Sequence, residues 1–441
     1  MGDIVLVALS GFFFLFAVSS YLEREWRAFK LSGFALIALI LFFVVWTWVL
    51  PFPKQIIGFG LFVVGAAFAL WVALSRRPRT ELKVAHPPQK IDERDVIFAR
   101  FDLVEGSQRF KDYYVRRPEY ADEDNKIREL PDILTAHHLE KQPWLYSLAG
   151  AEFDFLEAQL DQVDGEVAVP VREGSAQDNT CFLKNIVHYL GSTLCGICEL
   201  DPSFLYSHVG RGPAPYGQRI ELSHAYALVF AVEMEYAMIA SAPHAPVIVE
   251  TAKQYVEAAK ISIVVAGLIR ALGYSARAHI AGSNYNAMLT PLAWKAGLGE
   301  LGRLGILMTK DLGPRIRLGL VTTDLPLVTD TPITFGALDF CRQCKKCAVN
   351  CPSQAIPKGE PGLENGVWKW TIDREACYRY WRKAGTDCAR CIYVCPYSKP
   401  NNLFHNLIRN AMDRSKATQW IAHRGDELFY GRYPRPLDPP L

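Results

Sequence analysis

Three apolar runs open the chain. Residues 4–20, 31–50 and 55–75 are almost free of charge. At about 1.5 Å per residue each is long enough, or nearly so, to cross a hydrocarbon core about 30 Å thick. A cleaved secretion signal has one such stretch ahead of a small-residue cleavage site, not three. A twin-arginine signal would carry its arginines before the first run, where only Met1, Gly2 and Asp3 stand. Three transmembrane helices over residues 1–75 are therefore expected. The alternative is a hairpin plus an interfacial helix, because Pro51 and Pro53 leave a tight turn between the second and third runs. Arg24, Arg27 and Lys30 follow the first run, and Arg76, Arg77 and Arg79 follow the third; the second loop offers only Lys54. The positive-inside rule then places the N-terminus outside and everything after residue 76 in the cytoplasm.

The pattern changes after the third run. Residues 76–95 are charged and contain Pro78, Pro87 and Pro88, the signature of a linker. Residues 96–180 mix acidic and basic clusters with little periodicity, which predicts irregular structure wrapped over a core. In 181–334, strand-like runs (Ala225–Val232, Leu318–Thr323) alternate with helical patterns, so an α+β or α/β domain is expected. Its longest helix should span Glu250–Leu272, where Ile261, Val264, Val265, Leu268 and Ile269 recur at helical spacing. Gly273 is its natural stop. A cysteine-rich module follows over 335–397. The tail, 398–441, is polar and ends in a proline-rich stretch, which predicts an extended arm.

Composition narrows the possibilities. A chain of 441 residues accommodates two or three domains. A formal charge of +2 gives no electrostatic reason to expect a nucleic-acid partner. No histidine precedes His86, so the apolar runs hold no bis-histidine haem. Of eleven cysteines, Cys181, Cys195 and Cys198 lie outside the C-terminal module. Cys195-Gly-Ile-Cys198 has redox spacing but sits in an apolar run, which favours buried, inert thiols.

The other eight cysteines carry chemistry. Cys341-x2-Cys344-x2-Cys347-x3-Cys351 is followed by Pro352, and Cys388-x2-Cys391-x3-Cys395 by Pro396, with Cys377 upstream. This is the spacing of a bacterial two-cluster ferredoxin, in which the fourth cysteine of a run ligates the other cluster. Cys341, Cys344, Cys347 and Cys395 are assigned to one [4Fe–4S] cluster, and Cys351, Cys377, Cys388 and Cys391 to the second. Zinc sites favour paired C-x2-C knuckles instead.

A resemblance supplies a destination for the electrons. Ile269-Arg-Ala-Leu-Gly-Tyr274, Pro291-Leu-Ala293, Ala296-Gly-Leu-Gly-Glu-Leu-Gly-Arg303, Gly313-Pro-Arg-Ile-Arg-Leu318 and Thr323-Asp-Leu-Pro-Leu327 precede the cysteines. Together with Arg116-Arg-Pro-Glu119 upstream, they resemble the corrinoid-dependent reductive dehalogenases over most of residues 95–400. Epoxyqueuosine reductase is a more distant likeness. The resemblance implies a nitroreductase-like core holding a base-off cobalamin, fed by the two clusters. It implies an activity that replaces halide by hydrogen on a small organohalide. The electrons would come from ferredoxin, flavodoxin or a membrane donor. No Asp-x-His-x-x-Gly run is present to ligate cobalt. Gly297, Gly299, Gly302 and Gly305 fit close backbone approach to a bulky ring, or simply tight turns.

Reductive dehalogenation needs a proton donor beside a cation that stabilises its conjugate base. Within the resemblance Tyr255 takes that place, with Tyr236 and Tyr285 as competitors. Arg303 and Arg315 are the candidate cations, and Asn284 or Asn286 the candidate pocket lining. Epoxyqueuosine reductase carries an acid just before the matching tyrosine position, where this chain has Gln254. An epoxyqueuosine-type reductase and a non-catalytic electron-transfer subunit are the alternatives.

Overall fold

In a computed structural model of the chain, residues 2–45, 54–135, 140–281, 285–439 and 441 are described. The opening apolar runs fold as helices α1 (Gly2–Leu22), α2 (Trp26–Val44) and α3 (Lys54–Leu74). Among the described residues, α2 alone is long and apolar enough to cross a membrane; Leu6–Leu22 and Val63–Leu74 are shorter apolar stretches. By that measure one of the three expected spans stands on its own. The turn at Pro51 and Pro53 lies outside the described residues.

The α1–α2 hairpin has its tip seated in the body. The Glu25 carboxylate accepts hydrogen bonds from the Tyr236 hydroxyl at 2.5 Å and the Lys399 ammonium at 2.8 Å, and all three groups are buried. Glu23 meets Nε2 of His405 and Nδ2 of Asn402, each at 2.9 Å. Above this polar seat, Phe16 stacks on Phe404 with centroids 4.6 Å apart and meets Phe429 edge-on at 4.8 Å.

Residues 76–95, expected as a linker, are stitched to the cysteine-rich module. The Thr80 N–H and hydroxyl each donate to Asp339 at 2.9 Å. The Ala85 N–H donates to the Gly366 carbonyl at 2.7 Å, and the Trp368 N–H to the Lys83 carbonyl at 2.9 Å. Residues 96–180 also depart from expectation. They contain helices Ile97–Phe101, Gln108–Arg116, Ala121–Arg128 and Pro143–Glu157, and the start of Ala176–Tyr189. Their weak periodicity has a physical cause, because ion pairs hold several of them. Arg100, almost fully buried, lies 2.6 Å from Glu375 and 3.4 Å from Asp124, and Arg116 and Arg117 both reach Asp95.

The α+β expectation for 181–334 is met by one antiparallel sheet. Strands β1 (Leu194–Glu199), β2 (Tyr226–Glu233), β3 (Ala276–His279) and β6 (Ile316–Thr323) lie in the order β1-β2-β6-β3. Short strands β4 (Glu300–Leu301) and β5 (Leu307–Met308) pair separately. The long helix α4 (Pro246–Ala271) crosses one face, and Gly273 beyond its end adopts φ +91°, as a helix stop requires. Leu228, Phe230, Ile197 and Val321 meet α4 through Ile261 and Val265. Ala227, Val229, Ala231 and Leu320 face Leu292 and Ala293 on the other side. This alternation also disposes of the Cys195–Cys198 pair. Three residues apart on a strand, they join opposite cores, and burial pushes both thiols up to about 12.

The tail corrects its prediction most clearly. Most of it forms α5 (Leu403–Arg414) and α6 (Lys416–Phe429), and only residues 431–439 run outside helices as an arm, tied to the body by the Leu437 N–H, which donates to the Ala240 carbonyl at 2.9 Å. Asn402 caps the first by accepting from the His405 N–H at 3.0 Å; Ser415 caps the second through the Ala417 N–H at 3.1 Å. Helical periodicity here was masked by polar residues that pair inward, such as Lys346 with Asp426 and Gln419 with the Gly336 carbonyl.

Removing one partner of the buried seat should be expensive. Glu25→Ala strands the Lys399 ammonium and is expected to destabilise the protein by about 3–5 kcal/mol. The double variant Glu25→Leu/Lys399→Met should recover most of that loss, measured by denaturant unfolding in detergent.

Candidate redox and catalytic site

The eight C-terminal cysteines divide in space as their spacing predicts. Cys341, Cys344, Cys347 and Cys395 line one small cavity with Leu304, Met308 and Phe340. Burial drives the Cys344 thiol well above its usual range, and the nearby charges of Asp426, Cys395 and Cys341 add to that. Cys347 is likewise raised by burial first, then by Cys341, Cys344 and Cys395. The second set behaves the same way. Cys391 is raised by burial and then by Cys388, Cys377 and Cys351. Cys377 is pushed up to about 12 by burial, with Cys351 contributing. All eleven cysteines are free. Among the described residues no three His, Cys, Asp or Glu side chains close around a single metal ion. A cubane spreads its four thiolates around a larger body than a zinc ion with Zn–S bonds of about 2.3 Å. Four thiolates buried facing one another would need a central positive charge, which iron in each set would supply. The residues fit two [4Fe–4S] clusters.

The left-handed residues Lys345 (φ +54°) and Ala389 (φ +45°) turn the chain between successive cysteines of the two runs. Arg303 supports the first loop from behind. Fully buried, it donates to the carbonyls of Cys341 at 3.0 Å, and of Pro357 and Gly359 at 2.8 Å, and stacks on Trp370. Arg315 is also consumed internally, donating to the Ser398 carbonyl at 2.8 Å and pairing with Glu233 at 2.8 Å. Neither expected cation reaches Tyr255.

Arg317 does. Its guanidinium carbon lies 5.1 Å from the centre of the Tyr255 ring. It is held there by Nη2, which donates to Thr251 Oγ1 and to Asp387 Oδ2, both at 2.7 Å. Burial works against its charge, but Tyr255, Asp387 and Tyr285 outweigh burial and keep its pKa above the usual value. Strand parity could have identified it. Arg317 shares its face of β6 with Val321, which packs on α4, the helix that carries Tyr255.

Tyr206, Tyr255, Tyr285 and Arg317 lie deep in the fold, yet each keeps part of its side chain accessible. The four are neighbours, since Tyr285 interacts with Tyr255, Arg317 and Tyr206. Tyr285 is held above its usual range by burial and by Tyr255, partly offset by Arg211 and Arg317. Burial raises Tyr206 to about 12. A cavity of about 230 Å³ is walled by Ala99, Asp102, Arg109, Val209, Arg211 and Tyr216, and the charge of Arg211 in its wall acts on Tyr206 and Tyr285.

The remaining expected residues are placed as follows. Tyr236 belongs to the hairpin seat and is removed from the reacting groups. The Asn286 N–H donates to Nδ1 of His279 at 3.3 Å and its carbonyl accepts from the Tyr206 N–H at 3.0 Å. Asn284 lies outside the described residues. The four glycines are packed against this chain rather than against an open cradle. A Cβ would fall 2.6 Å from the Thr331 carbonyl oxygen at Gly297, 2.0 Å from that of Met308 at Gly299 and 2.3 Å from the Met308 sulfur at Gly302. At Gly305 it would meet Ile372 at 3.2 Å. Their requirement for glycine comes from this internal packing.

Comparison with known proteins bears on this geometry. A 4Fe-4S dicluster domain model matches residues 340–399. The tetrachloroethene reductive dehalogenase of Desulfitobacterium hafniense is 32% identical over 312 residues, covering 60% of this chain and 56% of that protein. That of Sulfurospirillum multivorans is 30% identical over 287 residues, covering 57% of each. The chain is a homologue of the reductive dehalogenases. It spans little more than half the length of these relatives. A solved catabolic reductive dehalogenase has the same fold, with a TM-score of 0.65 at 24% identity over 82% of this chain and 49% of that one. The epoxyqueuosine reductase of Aliivibrio fischeri is 33% identical over 125 residues, 25% of this chain and 30% of that protein. In this reductive-dehalogenase homologue the Gln254 amide is spent on Glu250 at 2.9 Å.

The crossed ligand assignment makes a sharp prediction. Cys341→Ala and Cys395→Ala, far apart in sequence, should give the same defect: about four of about eight irons retained, with one cluster signal lost by electron paramagnetic resonance. Cys351→Ala and Cys388→Ala should both lose the other signal.

Proposed function

We propose that the chain is a membrane-anchored, corrinoid-dependent reductive dehalogenase acting on a small organohalide. The observation that carries this reading is a continuous line of contacts. Cys388 adjoins Asp387 in sequence, Asp387 holds Arg317, and Arg317 lies over the Tyr255 ring. A bound corrinoid would supply a low-potential cobalt for carbon–halogen cleavage, with electrons arriving through the clusters. Tyr255 delivers the proton that replaces halide. Arg317 stabilises the phenolate left behind, and Asp387 and Thr251 fix its position. Tyr206 and Tyr285, buried close to this pair, would keep water from the reacting carbon. The cluster of Cys351, Cys377, Cys388 and Cys391 lies next to this machinery. The cluster of Cys341, Cys344, Cys347 and Cys395 lies next to α6.

Geometry also supports three spans with a cytoplasmic body. The basic segments at Arg27 and Arg76 both lie at the body end of the helices: Arg27 donates to the Leu428 carbonyl at 3.3 Å, and the Arg76 carbonyl accepts from the Lys416 N–H at 3.0 Å. Both loops then face one side, as the positive-inside rule requires. The epoxyqueuosine-type alternative lacks its acid, because Gln254 is buried in a bond within α4.

Anaerobically reconstituted protein should bind about one corrinoid per chain and release halide under a strong reductant; absence of corrinoid binding overturns the reading. Tyr255→Phe should bind corrinoid normally but lose about a hundred- to ten-thousand-fold in halide release. Arg317→Gln should follow it, whereas Arg303→Gln should instead lose iron.

A further inference from the structure

We propose that α5 and α6 lie in the headgroup layer of the bilayer, so that the C-terminal helices rest on the membrane alongside the spanning ones. The inference rests on the membrane-anchor reading above and extends it to the body. Its first ground is length. The 21 residues of α1 measure about 31 Å, the thickness of a hydrocarbon core and no more. Yet Phe12 and Phe16, ten and six residues from the Leu22 end, touch Phe404, and Phe16 also touches Phe429. Those contacts sit about 9–15 Å along the helix from its body end. If α1 crosses the bilayer, its partners on α5 and α6 are carried to the depth where interfacial amphipathic helices lie.

The second ground is the outward face of these helices. The exposed positions of α5 are Leu403, Leu407, Asn410 and Arg414, spaced three or four apart. Those of α6 are Lys416, Trp420, Arg424 and Leu428. Leu403 is 84% exposed and Leu407 and Leu428 nearly 60%. Neither set contains an acid. An apolar face flanked by cations, with a tryptophan among them, suits an anionic lipid surface. The third ground is continuity. Trp420 meets Trp71 of α3 edge-on at 6.4 Å, and the Leu428 carbonyl accepts from Arg27 of α2, so α6 reaches from one apolar helix to the next. Lipid around those helices therefore continues onto α6.

The test uses full-length holoprotein in single-copy nanodiscs containing anionic lipid. Leu407→Cys and Leu428→Cys, each in a Cys181→Ser background, carry a fluorescent label; Cys181 is the exposed thiol outside the cluster sets. Ile40→Cys on α2 reports the anchor, and Val115→Cys, 84% exposed on the body, reports water. Iron–sulfur absorbance confirms folding, and Leu403→Cys replaces either variant that fails it. With nitroxide lipids labelled near the headgroup, residues 407 and 428 should lose most of their fluorescence while residue 115 keeps it. Quenching at 40 but not at 407 and 428, whether they face water or a second copy, overturns this proposal alone. No quenching at 40 overturns the anchor itself.

Discussion

Burying eight thiols in two tight sets is the constraint around which this molecule is built. Thiolates crowded at such depth would repel one another, and iron at the centre of each set would offset that repulsion. Everything nearby serves that end. Arg303 donates to the backbone carbonyls of Cys341, Pro357 and Gly359. Lys345 and Ala389 accept left-handed backbone so that successive cysteines can face inward. The proposed catalytic side draws on the same module, since Asp387 immediately precedes Cys388 and also positions Arg317.

The two kinds of cation in the core illustrate how burial sorts function from support. Arg303 and Arg315 meet mainly carbonyl oxygens, which fix a loop but leave little free to act on a ligand. Arg317 meets one carboxylate and one hydroxyl, and turns the face of its guanidinium to an aromatic ring. A planar cation can hold position and stabilise charge at the same time only when its fixed bonds occupy one edge.

What was legible in the sequence follows the same logic. Cysteine spacing is a local code, and Leu228–Val232 and Ile261–Ile269 carry clean periods, so the clusters, β2 and α4 could be read directly. Arg317 was missed because three arginines sit within fifteen residues and only the pairing of β6 against α4 distinguishes them. The glycines of 297–305 were ambiguous because close packing against Met308 and Thr331 leaves the same signature as a ligand cradle. The tail helices were hidden because their inward faces are polar: Gln419, His423 and Asp426 bury themselves against the cysteine module, so the apolar period is interrupted.

The stitched segment 76–95 and the buried Glu25–Lys399 seat have a mechanical result. A catalytic body hung on a supple tether could tumble and meet its reductant from any direction. Here Lys399 stands four residues beyond a cluster cysteine and is locked to the hairpin tip, so the metal centres and the apolar helices turn as one piece. On the proposed function, whatever delivers electrons would meet a body held fixed to those helices.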